Sequence, residues 1–118
     1  MLVTVHSFTP VYHGRPRAVE IGVLHDADSR LADALLDTAA AHTTADVQRN
    51  APYGPGDGVL HTLHEHALPH GLLNVMLEIR NDPIADAPAQ RSMAYMLAGW
   101  RSDAFTRVDT RGQFAGPA

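Results

Sequence analysis

The 118-residue chain is 45% hydrophobic, 19% charged and 6% aromatic, with a formal net charge of −4. This composition fits one small soluble domain and excludes disorder of the whole chain. The negative balance argues against a nucleic-acid or anionic-membrane partner, and no apolar run nears the roughly 20 residues that a membrane-spanning helix needs.

Leu2 to His6 reads as a strand, because Leu-Val-Thr-Val is apolar and β-branched. Its near-continuous apolar run predicts a central position covered on both faces, with His6 at the C-terminal end. Val11 to Pro16 is expected to be a loop broken by Gly14 and Pro16, and Ala18 to Leu24 a second strand. Asp26 and Asp28 are candidate caps for a helix over about Ser29 to His42, with Leu31, Ala34, Leu35 and Ala39 on one stripe. Ala45 to Arg49 suits a short edge strand. Asn50 to Gly58 holds three Gly and two Pro and predicts a structured, function-bearing loop. Val59 to Leu68 reads as a helix and Leu72 to Ile79 as a buried strand. Asp86 is placed to cap a last helix, with Pro88 in its first turn and Met93, Met96, Leu97 and Trp100 on its apolar face. Strands alternating with helices predict an α/β fold with a mostly parallel or mixed sheet flanked by helices. One α/β domain is expected over 1–109 and a flexible tail over 110–118. No secretory signal is visible at Met1 to His6, which suits a cytoplasmic protein.

Several kinds of chemistry are excluded outright. The chain has no Cys, so it has no disulfide, thiol nucleophile or thiolate metal site. It has no Lys, which excludes Schiff-base chemistry and a P-loop lysine, and no Gly-x-Ser-x-Gly elbow is present. Eight His remain, the side chains best suited to metal ligation and to proton transfer near neutral pH. Glu78 is the most informative position. A carboxylate inside an apolar strand costs several kcal/mol unless it is paired or used. It is either an ion-pair partner for an Arg at the sheet edge or a general base whose pKa burial raises. His6 is ambiguous alone, but a His and a Glu at the ends of two strands could face one cleft. His61 and His64 can share a helical face, whereas His66 points well away from His61 and His70 lies beyond Pro69. A solvated face is the simpler reading of that cluster, and a self-contained metal module its rival.

The residues His6-Ser7-Phe8-Thr9-Pro10-Val11, Gly22-Val23-Leu24-His25, Asp28-x-Arg30, Asn50-x-Pro52-Tyr53, Asp57-Gly58, Thr62, His66, Gly71 and Glu78-Ile79-Arg80-Asn81-Asp82 follow one another in that order. This pattern resembles the C-terminal half of the N-formylglutamate amidohydrolase family, over about Leu2 to Trp100. The resemblance implies part of a zinc-carboxypeptidase-like (phosphorylase/hydrolase-like) fold. It also implies a zinc-dependent hydrolase that splits N-formyl-L-glutamate into formate and glutamate, in histidine breakdown. His6 matches a zinc ligand and Glu78 the carboxylate that activates water. Arg80, Asn50, Tyr53 and His66 match positions for holding the substrate. The family's N-terminal half carries a Ser-x-Glu-His-type segment with the other two zinc ligands. This sequence has no such segment, so the zinc is expected to need ligands from elsewhere and the chain alone to be inactive. The rival expectation is a non-catalytic α/β scaffold that buries its open edge against a partner or a second copy, making a homo-oligomer.

Overall fold

The computed structural model describes residues 1–110. Nine regular elements follow the chain: β1 (Leu2–Phe8), β2 (Val11–Tyr12), β3 (Arg15–Pro16), β4 (Ile21–Leu24), α1 (Arg30–Thr38), β5 (Val47–Arg49), α2 (His61–His66), β6 (Asn74–Arg80) and α3 (Ala87–Thr110). Four strands form one sheet in the order β1-β6-β4-β5. The β1–β6 and β4–β5 pairs are parallel and the β4–β6 pair is antiparallel. The sheet is therefore mixed and flanked by helices, as the alternation of elements predicts. The tail expected beyond Thr110 lies outside the described residues.

Central and edge strands are told apart by burial. All of Ile21–Leu24 and all of β6 up to Ile79 are buried, so β4 and β6 are the middle of the sheet. The expectation of a central first strand is corrected: β1 is at an edge, with Val5, His6 and Ser7 exposed. An apolar, β-branched run specifies a strand but not its neighbours, which are set by distant segments. The strand also runs past His6 to Phe8.

Side chains alternate across the sheet, so each central strand feeds two different layers. Ile21, Val23, Val75, Leu77 and Ile79 pack with Leu31, Ala34 and Leu35 of α1 and with Trp100, Ala104 and Val108 of α3. Trp100 is fully buried, and its indole Nε1–H donates to the Leu35 carbonyl at 2.9 Å. Asp86 acts at a helix start as expected, its Oδ1 accepting from the Ala89 N–H. At α1 the cap position is Ser29 and not Asp26 or Asp28, with no side-chain cap bond; Asp28, one residue earlier, accepts from the Arg30 N–H. On the opposite face Leu24 and Met76 pack with Leu60 and Leu63, bordered by Leu2, Tyr53 and Val59. The helical segments are shorter than the periodicity suggests, since α1 gives way to a 3-10 turn at Ala39–Ala41 and α2 spans six residues. Val11 to Pro16 is not a plain loop. His13 and Gly14 both have positive φ, 51° and 75°, the backbone of a tight hairpin turn, and the flanking residues pair as β2 and β3.

Candidate functional site

The register of the sheet brings distant residues into one row. His6 of β1 is opposite Glu78 of β6, and Glu78 is opposite Gly22 of β4. Paired positions share a face, so all three lie on the α2 side of the sheet. His6 is exposed at the edge, and Glu78 is 5% exposed. Among the described residues no hydrogen bond or ion pair reaches the Glu78 carboxyl; its oxygens are not among the fully buried unpartnered atoms, which are Thr4 Oγ1 and Asn74 Oδ1, so they keep an opening to solvent. Burial pushes its pKa above the ordinary carboxylate range, while the charges of His6 and Arg17 pull it partly back. A desolvated carboxyl left without hydrogen bonds next to an accessible imidazole can exchange a proton with a ligand or a water.

Gly22 makes room for the wall of this site. A Cβ there would run into the Ala51 carbonyl, so only glycine lets the loop after β5 cross the sheet beside Glu78. The loop is tied down at Asn50, which has a left-handed φ of 49° that Asn tolerates better than most residues. The Asn50 N–H donates to the Val23 carbonyl, and Asn50 Oδ1 accepts from the His25 N–H at 2.9 Å. The Ala51–Pro52 peptide bond is cis, and Tyr53 follows half-buried.

Tyr53 meets Arg17, a residue that no sequence pattern singles out. The Arg17 guanidinium donates to Tyr53 Oη at 3.0 Å and to the Thr9 carbonyl at 3.2 Å. It lies 4.5 Å from the Tyr12 ring centre and 5.3 Å from those of Phe8 and Tyr53, within cation–π range. Arg80 is one row beyond Glu78, opposite Phe8. Its guanidinium is already engaged, by Asp82 at 2.6 and 3.0 Å and by the Arg17 carbonyl at 2.8 Å.

The sequence-predicted residues therefore divide. His6 and Glu78 are register partners on neighbouring strands, and Tyr53 bonds Arg17, whose charge acts on Glu78. Asn50 holds the loop by its side-chain oxygen, and Arg80 braces β6 against Arg17. His66 is exposed at the end of α2 and makes no hydrogen bond or ion pair among the described residues. His61 and His64 line a shallow pocket of about 260 Å³ with Asp26, Pro55, Gly58 and Leu60. His64 Nδ1 is 3.6 Å from Asp26 Oδ2. Arg17 is the neighbour of this site that sequence reasoning did not name; Gly22 was named only as part of the family pattern, although a glycine inside an apolar strand is itself a mark of close backbone approach.

A catalytic zinc takes three protein ligands. Among the described residues no group of three or more His, Cys, Asp or Glu is placed to hold a metal ion. The residues of this face thus do not form a zinc site by themselves. No helix among the described residues is long and apolar enough to cross a membrane.

Comparison with known proteins follows the same lines. The family model described as N-formylglutamate amidohydrolase matches residues 1–85. The crystal structure of gene product Atu2144 from Agrobacterium tumefaciens is similar with a TM-score of 0.86 and 58% sequence identity, over 91% of this chain and 43% of that one. The chain thus spans less than half the length of that relative. No curated protein matches it.

Proposed function

Because the chain belongs to the N-formylglutamate amidohydrolase family, we propose that it carries part of the active site of an amide hydrolase acting on N-formyl amino acids, with N-formyl-L-glutamate as the substrate to test first. The observation that carries this reading is the pairing of a buried, unbonded Glu78 carboxyl with an accessible His6 in the same row of the sheet. In the proposed reaction Glu78 takes a proton from water as the water oxygen bonds to the formyl carbon. The C–N bond then breaks, the nitrogen receives the proton, and formate and the free amino acid leave. The raised pKa of Glu78 suits both halves of that transfer. His6 is proposed as one ligand of a zinc ion whose other ligands come from outside the described residues. When bound, zinc supplies Lewis-acid polarisation of a carbonyl and a more acidic water. The sheet is proposed to be part of a carboxypeptidase-like fold.

Formate release from N-formyl-L-glutamate tests this, with zinc present and with the chain combined with the part of the Agrobacterium protein that it does not cover. Turnover is expected from the combination. Glu78→Gln should lower it by roughly 10²- to 10⁴-fold, the usual contribution of a general base, without changing zinc content. An unchanged rate would remove Glu78 as the base. No turnover and no zinc, together with a dimer in sedimentation, would favour the scaffold reading instead, with β1 pairing through the edge where Val5 is 56% exposed.

A further inference from the structure

The arginines of this chain are not equivalent. Arg30, Arg49, Arg80 and Arg107 each meet an aspartate, at 2.7, 2.7, 2.6 and 3.7 Å. Arg17 is half-buried, yet among the described residues it forms no ion pair. Two of its five N–H groups are used, on the Thr9 carbonyl and Tyr53 Oη, and both contacts fix its plane rather than neutralise it. The rings of Phe8, Tyr12 and Tyr53 hold it from the sides without supplying a countercharge. Its own carbonyl is pinned by Arg80, on the strand that bears Glu78. A guanidinium held rigid, with N–H groups to spare and no carboxylate hydrogen-bonded to it among the described residues, is prepared for an external carboxylate, which it can bind with two parallel hydrogen bonds.

The geometry points to Arg17, boxed by Phe8, Tyr12 and Tyr53, as the side chain that receives a carboxylate of a small-molecule ligand beside Glu78, while Arg80 serves only to brace it. The identity of the ligand as an acidic N-formyl amino acid rests on the hydrolase reading; the anion site does not. Arg17 is also near enough to Glu78 for its charge to act on that carboxyl, which places the bound anion and the proposed base in one neighbourhood. The two residues lie on separate segments, one after the β2–β3 hairpin and one in β6.

Calorimetric titration with glutarate and with its neutral analogue glutaramide reads the site without requiring turnover. The chain should bind the dicarboxylate more tightly. Arg17→Gln should lose roughly ten- to a hundredfold in glutarate affinity, the worth of charged hydrogen bonds, and Arg107→Gln, on α3 across the sheet, should keep the preference. Because Arg17→Gln could unfold the hairpin region, phenylglyoxal labelling of the unaltered protein gives an independent reading by peptide mass spectrometry. Glutarate should protect Arg17 from modification and glutaramide should not. Equal affinity for the two compounds, full affinity in Arg17→Gln, loss of preference in Arg107→Gln, or no protection of Arg17 would each overturn the inference. Any of these with formate release intact leaves the hydrolase reading standing. A protected Arg17, with no formate released even when the complementing part and zinc are present, upholds the anion site and sinks that reading.

Discussion

The two faces of the sheet are built on the same strands but to different ends. On one face Ile21, Val23, Val75, Leu77 and Ile79 lie under α1 and the 24-residue α3, and almost every contact is apolar. On the other, the intervening positions of β4 and β6 are Gly22, Leu24, Asn74, Met76, Glu78 and Arg80, covered by a six-residue helix and by the loop after β5. A shift of one residue along a strand therefore separates packing from chemistry. The helix-covered face can supply the stability that lets the other tolerate a desolvated carboxyl, a glycine in a central strand and a half-buried guanidinium with no carboxylate bonded to it. Net stabilities are small differences between large terms, so such costs must be met elsewhere in the fold.

That division is most sharply broken by Trp100→Ala. It removes the largest buried side chain of the helix face and the bond from Nε1 to the Leu35 carbonyl. A loss of about 3–5 kcal/mol in urea unfolding is expected. The folded fraction should still prefer glutarate to glutaramide, because Trp100 touches nothing on the other side. A loss under about 1 kcal/mol would mean that the helix face does not carry the fold.

Gly22→Ala should cost less, about 1–3 kcal/mol, as overpacking against the Ala51 carbonyl displaces the loop. Its signature is local. The His25 amide, which donates to Asn50 Oδ1, should exchange with solvent faster than the loss of global stability accounts for, while the amides of α3 speed up only in step with that loss. A His25 amide that stays protected would show that Gly22 is not what seats the loop.

The same division explains what the sequence made legible. The helix face obeys local rules: β6 is a continuous apolar run, α3 starts where Asp86 can accept the Ala89 N–H, and Trp100 falls on its apolar stripe. The edge strand β5 was readable from its position and length. Strand order is not local. Nothing in Leu2 to Val5 says that β1 pairs only with β6 among the described residues, and the expectation of a central strand failed there. On the site face, Glu78 stood out because a carboxylate inside an apolar run is costly, and the family resemblance joined it to His6 across a stretch of sequence that periodicity could not bridge. Arg17 was invisible, since its distinction is the absence of a bonded carboxylate among the described residues and the presence of three rings contributed by β1, β2 and a loop. The hairpin around His13 and Gly14 was missed because a turn of two positive-φ residues looks, in one dimension, like any glycine-bearing loop.

The smallest expected effect, and the one with opposite sign, is on stability in Glu78→Gln as a function of pH. Burial raises the folded-state pKa of Glu78 above its ordinary value, so the folded protein holds that proton more tightly than the unfolded chain does. Below about pH 4 both states are protonated and the carboxyl costs nothing by ionising. As pH rises, the unfolded chain releases the proton first, and folding is increasingly penalised until the raised pKa is passed. Above it the penalty is complete and constant. The uncharged Gln avoids it, so the variant should match the unaltered protein in acid and become the more stable of the two toward neutral pH. Asp28 works the other way, because the Arg30 guanidinium holds its carboxyl below the usual range and its contribution is lost on acidification. Taking the difference between variant and unaltered protein at each pH cancels Asp28 and isolates Glu78. A difference that stays flat with pH, or a variant that is less stable near neutrality, would show that the carboxyl is not desolvated and that the two faces of the sheet are more alike in their cost than their residues suggest.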